Sequence, residues 1–435
     1  ALPAGSAILR AAEKAMQPTT KQNAAMDQLD FEHRVRFIAE LARRLHEYGT
    51  TAPRLEKALD NVSGRLGLVS NILATPTSII LSFAVLAEGA GALPRLTQVI
   101  RVEPGDLNLR RLVEVDAIAE RVFSGELNIE SGLRALHAVH SGLTRRAEIM
   151  RVLSFGISSA AVAVLFKGVL ADVVLAGALG LLIGLMASVV MRRPTLGPAF
   201  EAMAAFVAMF IATLVSAWLQ PVNVNTVVMA AIIVLLPGLT LTSAVVELST
   251  QHLVAGSVRF MGATAVLLKL TFGTVAGMQL ANALHIESMP AMAMPLPAWT
   301  EWVALLAGSY AFAALFQAAR RDYPLAMASS WLGYLCARFG GMLSGPEFGV
   351  FLSGLVVGSA ANLYARLFNR PGAIVRVPGI IMLVPGSIGF RSLSYVFERD
   401  VYLSLDKAFS LIVILASLAA GLLFGNLLVP PRRSI

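Results

Sequence analysis

Cysteine is nearly absent: Cys336 stands alone among 435 residues, which excludes a disulfide framework and any multi-cysteine metal site. Charge is also scarce. Asp, Glu, Lys and Arg make up 14% of the chain against 56% hydrophobic residues, and the mean hydropathy of +0.71 excludes an ordinary soluble protein. Most acidic groups precede Arg151; beyond it, charges form short clusters between long apolar runs. HExxH, GxSxG and Gly-rich phosphate-loop patterns are missing. The start, ALPAGSAILRAAEKAMQ, lacks an apolar core of signal-peptide length, so the polar first domain is expected not to be exported. The net charge of +8 suggests nucleic acid. However, the Lys and Arg residues after Arg151 sit beside hydrophobic spans, where a basic excess sets membrane orientation.

What the chain does have is a duplication. Ile232–Gly238 reads IIVLLPG and Ile380–Gly386 reads IIMLVPG, 148 residues apart and identical at five of seven positions. The same offset pairs GPAF (Gly197–Phe200) with GPEF (Gly345–Phe348), and Gly273 and Gly277 with Gly421 and Gly425. One offset across three separated blocks means an internal repeat. Matching Pro/Gly interruptions in the hydrophobic segments of two halves point to a secondary transporter and its substrate site.

A bilayer core needs about 20 apolar residues per helix. Ten such segments can be drawn, at 152–169, 172–191, 199–219, 226–248, 258–281, 299–317, 324–342, 347–367, 374–397 and 408–429. Basic residues concentrate on one side (Arg145, Arg146, Arg151, Arg192, Arg193, Arg259, Arg320, Arg321, Arg366, Arg370, Arg432, Arg433), against Lys167, Arg338, Arg399 and Lys407 on the other. Both termini are therefore expected to be cytoplasmic. Five helices per repeat is an odd number, so the second copy enters from the opposite side. The expected fold is an α-helical polytopic membrane protein of about ten spans in an inverted 5+5 repeat, with an N-terminal cytoplasmic domain. The expected boundaries are 1–150, 151–283 and 284–435.

In the N-terminal domain, residues 27–48 place Phe31, Val35, Ile38, Leu41, Ala42 and Leu45 on one helix face, with Gly49 as a stop. A second helix is expected at Pro53–Arg65, strands at Ser78–Val85 and Leu96–Val102, a turn at Glu103–Asp106, and helices at Leu109–Phe123 and Ile129–His140. The result is a small α/β or α+β domain. His33, His46, His137 and His140 lack metal-ligand spacing and read as solvated or structural. The basic positions Arg34, Arg43, Arg44 and Arg54 read as a solvated helix face, with anionic lipid headgroups as the alternative.

The order FIAELARRLHEYGTTAPRLEKAL, ATPTSIILSFA (Ala74–Ala84) and VEVDAIAERVFSGELNIESGLRAL (Val113–Leu136), followed by two five-helix units, resembles the threonine/serine exporter (ThrE-like) family. Its characteristic parts are Gly49 before an Arg-x-Glu turn (Arg54, Glu56), Thr-Pro-Thr at 75–77 and the Pro-Gly elements. The two halves, separate polypeptides in some relatives, are fused here. The resemblance implies a bacterial inner-membrane exporter, driven by the proton motive force, whose substrates are threonine and serine. Split relatives imply a dicarboxylate of the succinate type as the alternative. It transfers no residue roles.

From the residues themselves, each Pro-Gly break frees backbone groups that hydrocarbon tolerates only beside protein or a water-filled cavity. The helix starting after each break turns its positive end toward it, where a substrate carboxylate fits. The candidate substrate-binding residues are Pro237, Gly238, Thr240, Thr242 and Ser243 in the first half and Pro385, Gly386, Ser387 and Arg391 in the second, with Ser392 nearby. Lys269 joins them, because a charge in mid-span is costly and its repeat counterpart is Ser417. Glu247 and then Glu201 are the candidates for proton coupling. The expected partners are a small-molecule substrate, protons and membrane lipid, without nucleic acid, metal or cofactor. A homo-oligomer stays open. A non-enzyme is expected; the rival from another class is a membrane-anchored hydrolase with its site in residues 1–150, which leaves the repeat unexplained.

Overall fold

A computed structural model describes residues 29–85, 95–103, 105, 107–139, 144–289, 296–383, 386–397 and 400–431. The expectations on Pro385, His140, Arg399, Arg432 and Arg433, and parts of the Glu103–Asp106 turn, lie outside them.

The N-terminal domain begins with α1 (29–47), whose Phe31, Val35, Ile38, Leu41 and Leu45 are buried as their spacing requires. Gly49, with a φ of +88°, turns the chain into α2 (Ala52–Arg65), which carries Pro53 in its first turn. Three strands follow, β1 (Leu68–Ala74), β2 (Ser78–Val85) and β3 (Leu96–Arg101), paired antiparallel in the order β1-β2-β3. The meander makes the domain α+β rather than α/β. Thr75, of the Thr-Pro-Thr element, closes the β1–β2 hairpin: its N–H donates to the Ser78 carbonyl at 2.8 Å, and its Oγ1 accepts the Ser78 N–H at 3.0 Å. α3 (Leu109–Phe123) and α4 (Ile129–Ala138) complete the domain, each capped by an asparagine, Asn108 and Asn128. Alternate β2 residues Ile79, Leu81 and Phe83 face the helices in one apolar core.

The remaining chain is helical. The first half comprises α5 (Arg145–Leu165), α6 (Leu170–Arg192), a 3-10 segment (Pro194–Ala199), α7 (Phe200–Trp218), α8 (Val224–Ala231), α9 (Gly238–Ser249) and α10 (Leu253–Ala283). The second comprises α11 (Thr300–Leu315), α12 (Tyr323–Ser344), α13 (Pro346–Phe368), α14 (Ala373–Ile381), α15 (Gly386–Phe397) and α16 (Val401–Leu428). Among the described residues, seven helical segments are long and apolar enough to cross a membrane, or eight if the bent α8–α9 pair is one span. α11 has 16 residues, short of a bilayer core, and α12 is long enough but too poor in apolar groups. Outward-facing Leu185, Phe272, Phe409 and Ile412 suit contact with acyl chains.

The 148-residue offset reappears as structure. α9 and α15 begin at offset positions (Gly238, Gly386), as do α10 and α16 (Leu253, Val401). α7 packs along α10, and α13 packs along α16. A Cβ on Gly273 would stand 2.1 Å from the Ala202 carbonyl oxygen, and one on Gly421 2.2 Å from that of Phe351. The duplicated glycines thus let two helix backbones touch in each half. The helices after the breaks cross over between halves: α9 leans on α16 and α15 on α10. α5 and α11, the first helix of each half, pack in opposite directions, since Lys167 beyond the end of α5 bonds Glu301 at the start of α11 at 2.9 Å.

Candidate functional site

Each half is interrupted before its fifth long helix. Between α8 and α9 the axis bends by 51°. Leu236 there is extended (ψ 126°), Pro237 has no N–H to donate, and the Gly238 N–H turns back to the Leu236 carbonyl at 2.8 Å. In the second half the interruption separates α14 from α15. A Cβ on Gly386 would lie 3.1 Å from the Leu236 Cβ and 3.3 Å from the Gly238 nitrogen, so the two breaks touch. Upstream, Pro378 sits inside α14 and removes one backbone donor from it. α12 lends hydroxyls there, with Ser329 donating to the Val375 carbonyl and Ser330 to that of Pro378.

The breaks face a cavity of about 1020 Å³ between the N-terminal domain and the long helices. Pro237, Gly238, Thr240, Thr242, Ser243, Gly386, Ser387 and Glu201 all line it. Thr242 Oγ1 also donates back to the Gly238 carbonyl at 3.1 Å. Ser392 does not line the cavity, and its hydroxyl donates to the Ser404 carbonyl at 2.9 Å. Lys269 is not among the lining residues; its Nζ lies 3.0 Å from Glu201, which is, and 3.2 Å from the Pro198 carbonyl. Arg391 also points elsewhere. Its Nε lies 3.0 Å from the Met229 sulfur, and its guanidinium sits 5.7 Å from the Phe166 ring centroid.

Glu247 is fully buried and does not line the cavity. Its Oε2 accepts from Arg259 Nε at 2.9 Å and its Oε1 from the Ala52 N–H at 3.1 Å. It therefore fastens the N-terminus of α2 to the helical half, as an N-cap supplied from a distant part of the chain. Glu56 makes a second tie, accepting the Ala74 N–H at 2.8 Å and lying 3.0 Å from His252 Nε2. A third joins Asn108 to Gln317 at 2.7 Å. His46 sits close by, buried, with its Nε2 3.1 Å from the Thr75 carbonyl; burial pushes its imidazole below the usual value. His33 and His137 lie apart from it, beside Glu130 and Glu40.

Several cavity residues escaped the sequence reading. Arg54, exposed as a solvated position should be, faces this cavity. It projects into the cavity, where a water molecule can reach it but protein surrounds it, and this burial lowers its guanidinium to about 10. Arg376, on α14, is 8% exposed and also lines the cavity. Its Nη2 donates to Asn362 Oδ1 at 2.8 Å, and its Nη1 has no partner. The signal for Arg376 was present: a guanidinium in the apolar run AIVRVPG. The cations Arg54, Lys57, Arg151, Arg259, Arg370 and Arg376 line the cavity against one carboxylate, Glu201.

Membrane-length helices, two interruptions meeting at a cavity and a basic set of charges lining it define a multi-pass membrane transport protein. The chain belongs to the threonine/serine exporter family: a family model described as "Putative threonine/serine exporter" matches residues 36–281, and one described as "Threonine/Serine exporter, ThrE" matches residues 301–428. Among curated proteins it is similar to the pheromone-regulated membrane protein 10 of Eremothecium gossypii, 25% identical over 370 residues covering 83% of this chain and 49% of the relative. The Saccharomyces cerevisiae protein of that name is 26% identical over 373 residues, with 83% and 47% covered. An uncharacterised Schizosaccharomyces pombe protein is 25% identical over 433 residues, with 92% and 52% covered. The chain spans about half the length of these relatives. No solved structure matches it. These fungal membrane proteins overturn the expected bacterial inner membrane and point to a eukaryotic membrane instead.

Proposed function

We propose that the chain exports a small polar metabolite, threonine or serine, by proton-coupled alternating access, with the two broken helices as the moving wall of the cavity. The observation that carries this is the contact between the breaks: Gly386 abuts Leu236 and Gly238, and the elements on either side line one cavity. Substrate bound there touches both halves at once, so a rocking of one half against the other changes the side from which it is reached. The crossing of α9 onto α16 and of α15 onto α10, with α5 and α11 running in opposite directions, supports ten spans arranged as an inverted 5+5 repeat. In that arrangement α11 and α12 complete the second copy despite their weaker apolar character, and the N-terminal domain covers the cytosolic mouth.

Of the two candidate carboxylates, Glu201 is better placed for proton coupling. It faces the cavity and holds Lys269, so protonation releases a cation within reach of the substrate path. The basic lining favours a second reading, export of a dicarboxylate. Efflux of labelled threonine, serine and succinate from proteoliposomes, with and without an imposed pH gradient, tests both. Threonine efflux accelerated by the gradient is expected, succinate efflux selects the second reading, and retention of all three rejects export.

A further inference from the structure

We infer that Arg376 is the residue that receives the substrate's carboxylate, on a seat built by Asn362 and Asn426. The assignment deepens the exporter reading and rests on it. Arg376 is more than nine-tenths buried in the helical half, lines the cavity, and has neither a hydrogen bond nor an ion pair to any Asp or Glu among the described residues. An uncompensated guanidinium in such surroundings is strongly unfavourable, and its Nη1 is left without an acceptor. Two other cavity arginines are paired: Arg259 with Glu247, and Arg370 with Asp322 at 2.7 Å. A bound anion supplies the missing charge, and a planar carboxylate matches a guanidinium edge with two parallel hydrogen bonds.

The seat is held from behind. Asn362 Oδ1 accepts from Arg376 Nη2, while Asn362 Nδ2 donates to Asn426 Oδ1 at 2.8 Å and to the Val429 carbonyl at 2.7 Å. Asn362 is 2% exposed, so its amide is committed on both ends, and the guanidinium plane is set by α13 and α16. Packing does not require the charge, because the repeat counterpart at the 148-residue offset is Val228, buried and apolar. Arg376 stands on α14, upstream of Gly386 at the start of α15, which abuts Leu236 and Gly238, so a carboxylate bound to it ties the substrate to the element on which the halves meet. Arg54, on the N-terminal domain side of the same cavity, is the cation met by the remaining polar end of a dicarboxylate.

The test uses the purified full chain, thermal unfolding in detergent and efflux from proteoliposomes, with threonine, threonine methyl ester, succinate and inorganic phosphate as probes. Threonine or succinate is expected to raise the wild-type Tm while the ester does not. Arg376→Gln is expected to lose that protection, to keep or raise the ligand-free Tm, and to raise the efflux KM by about ten- to a hundred-fold with a smaller effect on kcat. Arg376→Lys is expected to fall between the two. Equal protection of wild type and Arg376→Gln overturns the assignment. So does ester or phosphate protecting as well as threonine, or a lowered ligand-free Tm with unchanged KM, the mark of a structural role. Arg376-dependent protection without any efflux keeps the site and retires the exporter reading instead.

Discussion

Glu247→Gln separates docking from proton coupling. The wild-type carboxylate is fully buried between Arg259 and the Ala52 amide. Glutamine keeps the shape and one acceptor for the Ala52 N–H but leaves the Arg259 guanidinium unpaired. Removing one member of a buried pair costs about 3–5 kcal/mol. Arg259 retains 21% side-chain exposure and borders the cavity, so water recovers part of that loss and about 2–3 kcal/mol remains. The cost falls on the joint between α2 and the helical half. Amide hydrogen exchange over residues 52–56 in the full chain is expected to accelerate about 30- to 150-fold, since each 1.4 kcal/mol is tenfold. Adding Arg259→Met removes the stranded charge and is expected to return most of the protection. Exchange within about threefold of wild type for the single variant refutes the clamp. If exchange stays normal while efflux loses its pH-gradient dependence, Glu247 carries the proton and does not dock the domain.

Three further perturbations test the same framework. Gly273→Ala forces a methyl to within 2.1 Å of a carbonyl oxygen and is expected to destabilise by about 1–3 kcal/mol; Gly262→Ala in the same helix meets nothing within 4 Å and is expected to stabilise by up to about 1 kcal/mol, so Tm shifts of one sign for both contradict the packing. His46 has a folded value below its ordinary one, so the folded chain binds fewer protons there than the unfolded chain. Its contribution to stability is fully present above the unfolded value of about 6.5 and is lost as pH falls toward the folded value; Tm against pH should flatten in that window for His46→Gln. Glu201→Gln is expected to leave Lys269 unpaired and to abolish acceleration of efflux by a pH gradient while the protein stays folded by size-exclusion chromatography; gradient-driven efflux at the wild-type rate removes Glu201 from coupling.

Local patterns read correctly because each rests on forces acting within a few residues. The apolar spacing in α1, the end points of β2 and α3, and the stop at Gly49 follow from backbone sterics and helical or strand periodicity alone. β1 was missed, since LVSNILA carries polar residues within the run and becomes a strand by pairing with Ile79–Val85. Of the ten spans drawn from hydropathy, seven or eight meet both length and apolarity among the described residues, because α11 has only 16 residues and α12 carries too few apolar groups.

The duplication, the family and the two interruptions are properties of residue order, and so the chain determines them unaided: a 148-residue offset, a missing amide at proline and a glycine beside it need no third dimension. Which charges matter was decided by tertiary packing. Glu247 and Lys269 are costly mid-span charges in the sequence, but the fold matches each to a partner from elsewhere in the chain, Arg259 and Glu201. Arg54, one of a solvated face in the sequence, stays exposed, but α2 docks so that it faces the cavity. Arg376 differs because, among the described residues, no carboxylate meets it. Coulomb and desolvation energies depend on what lies within a few ångströms, and only folding brings residues of different helices to that range.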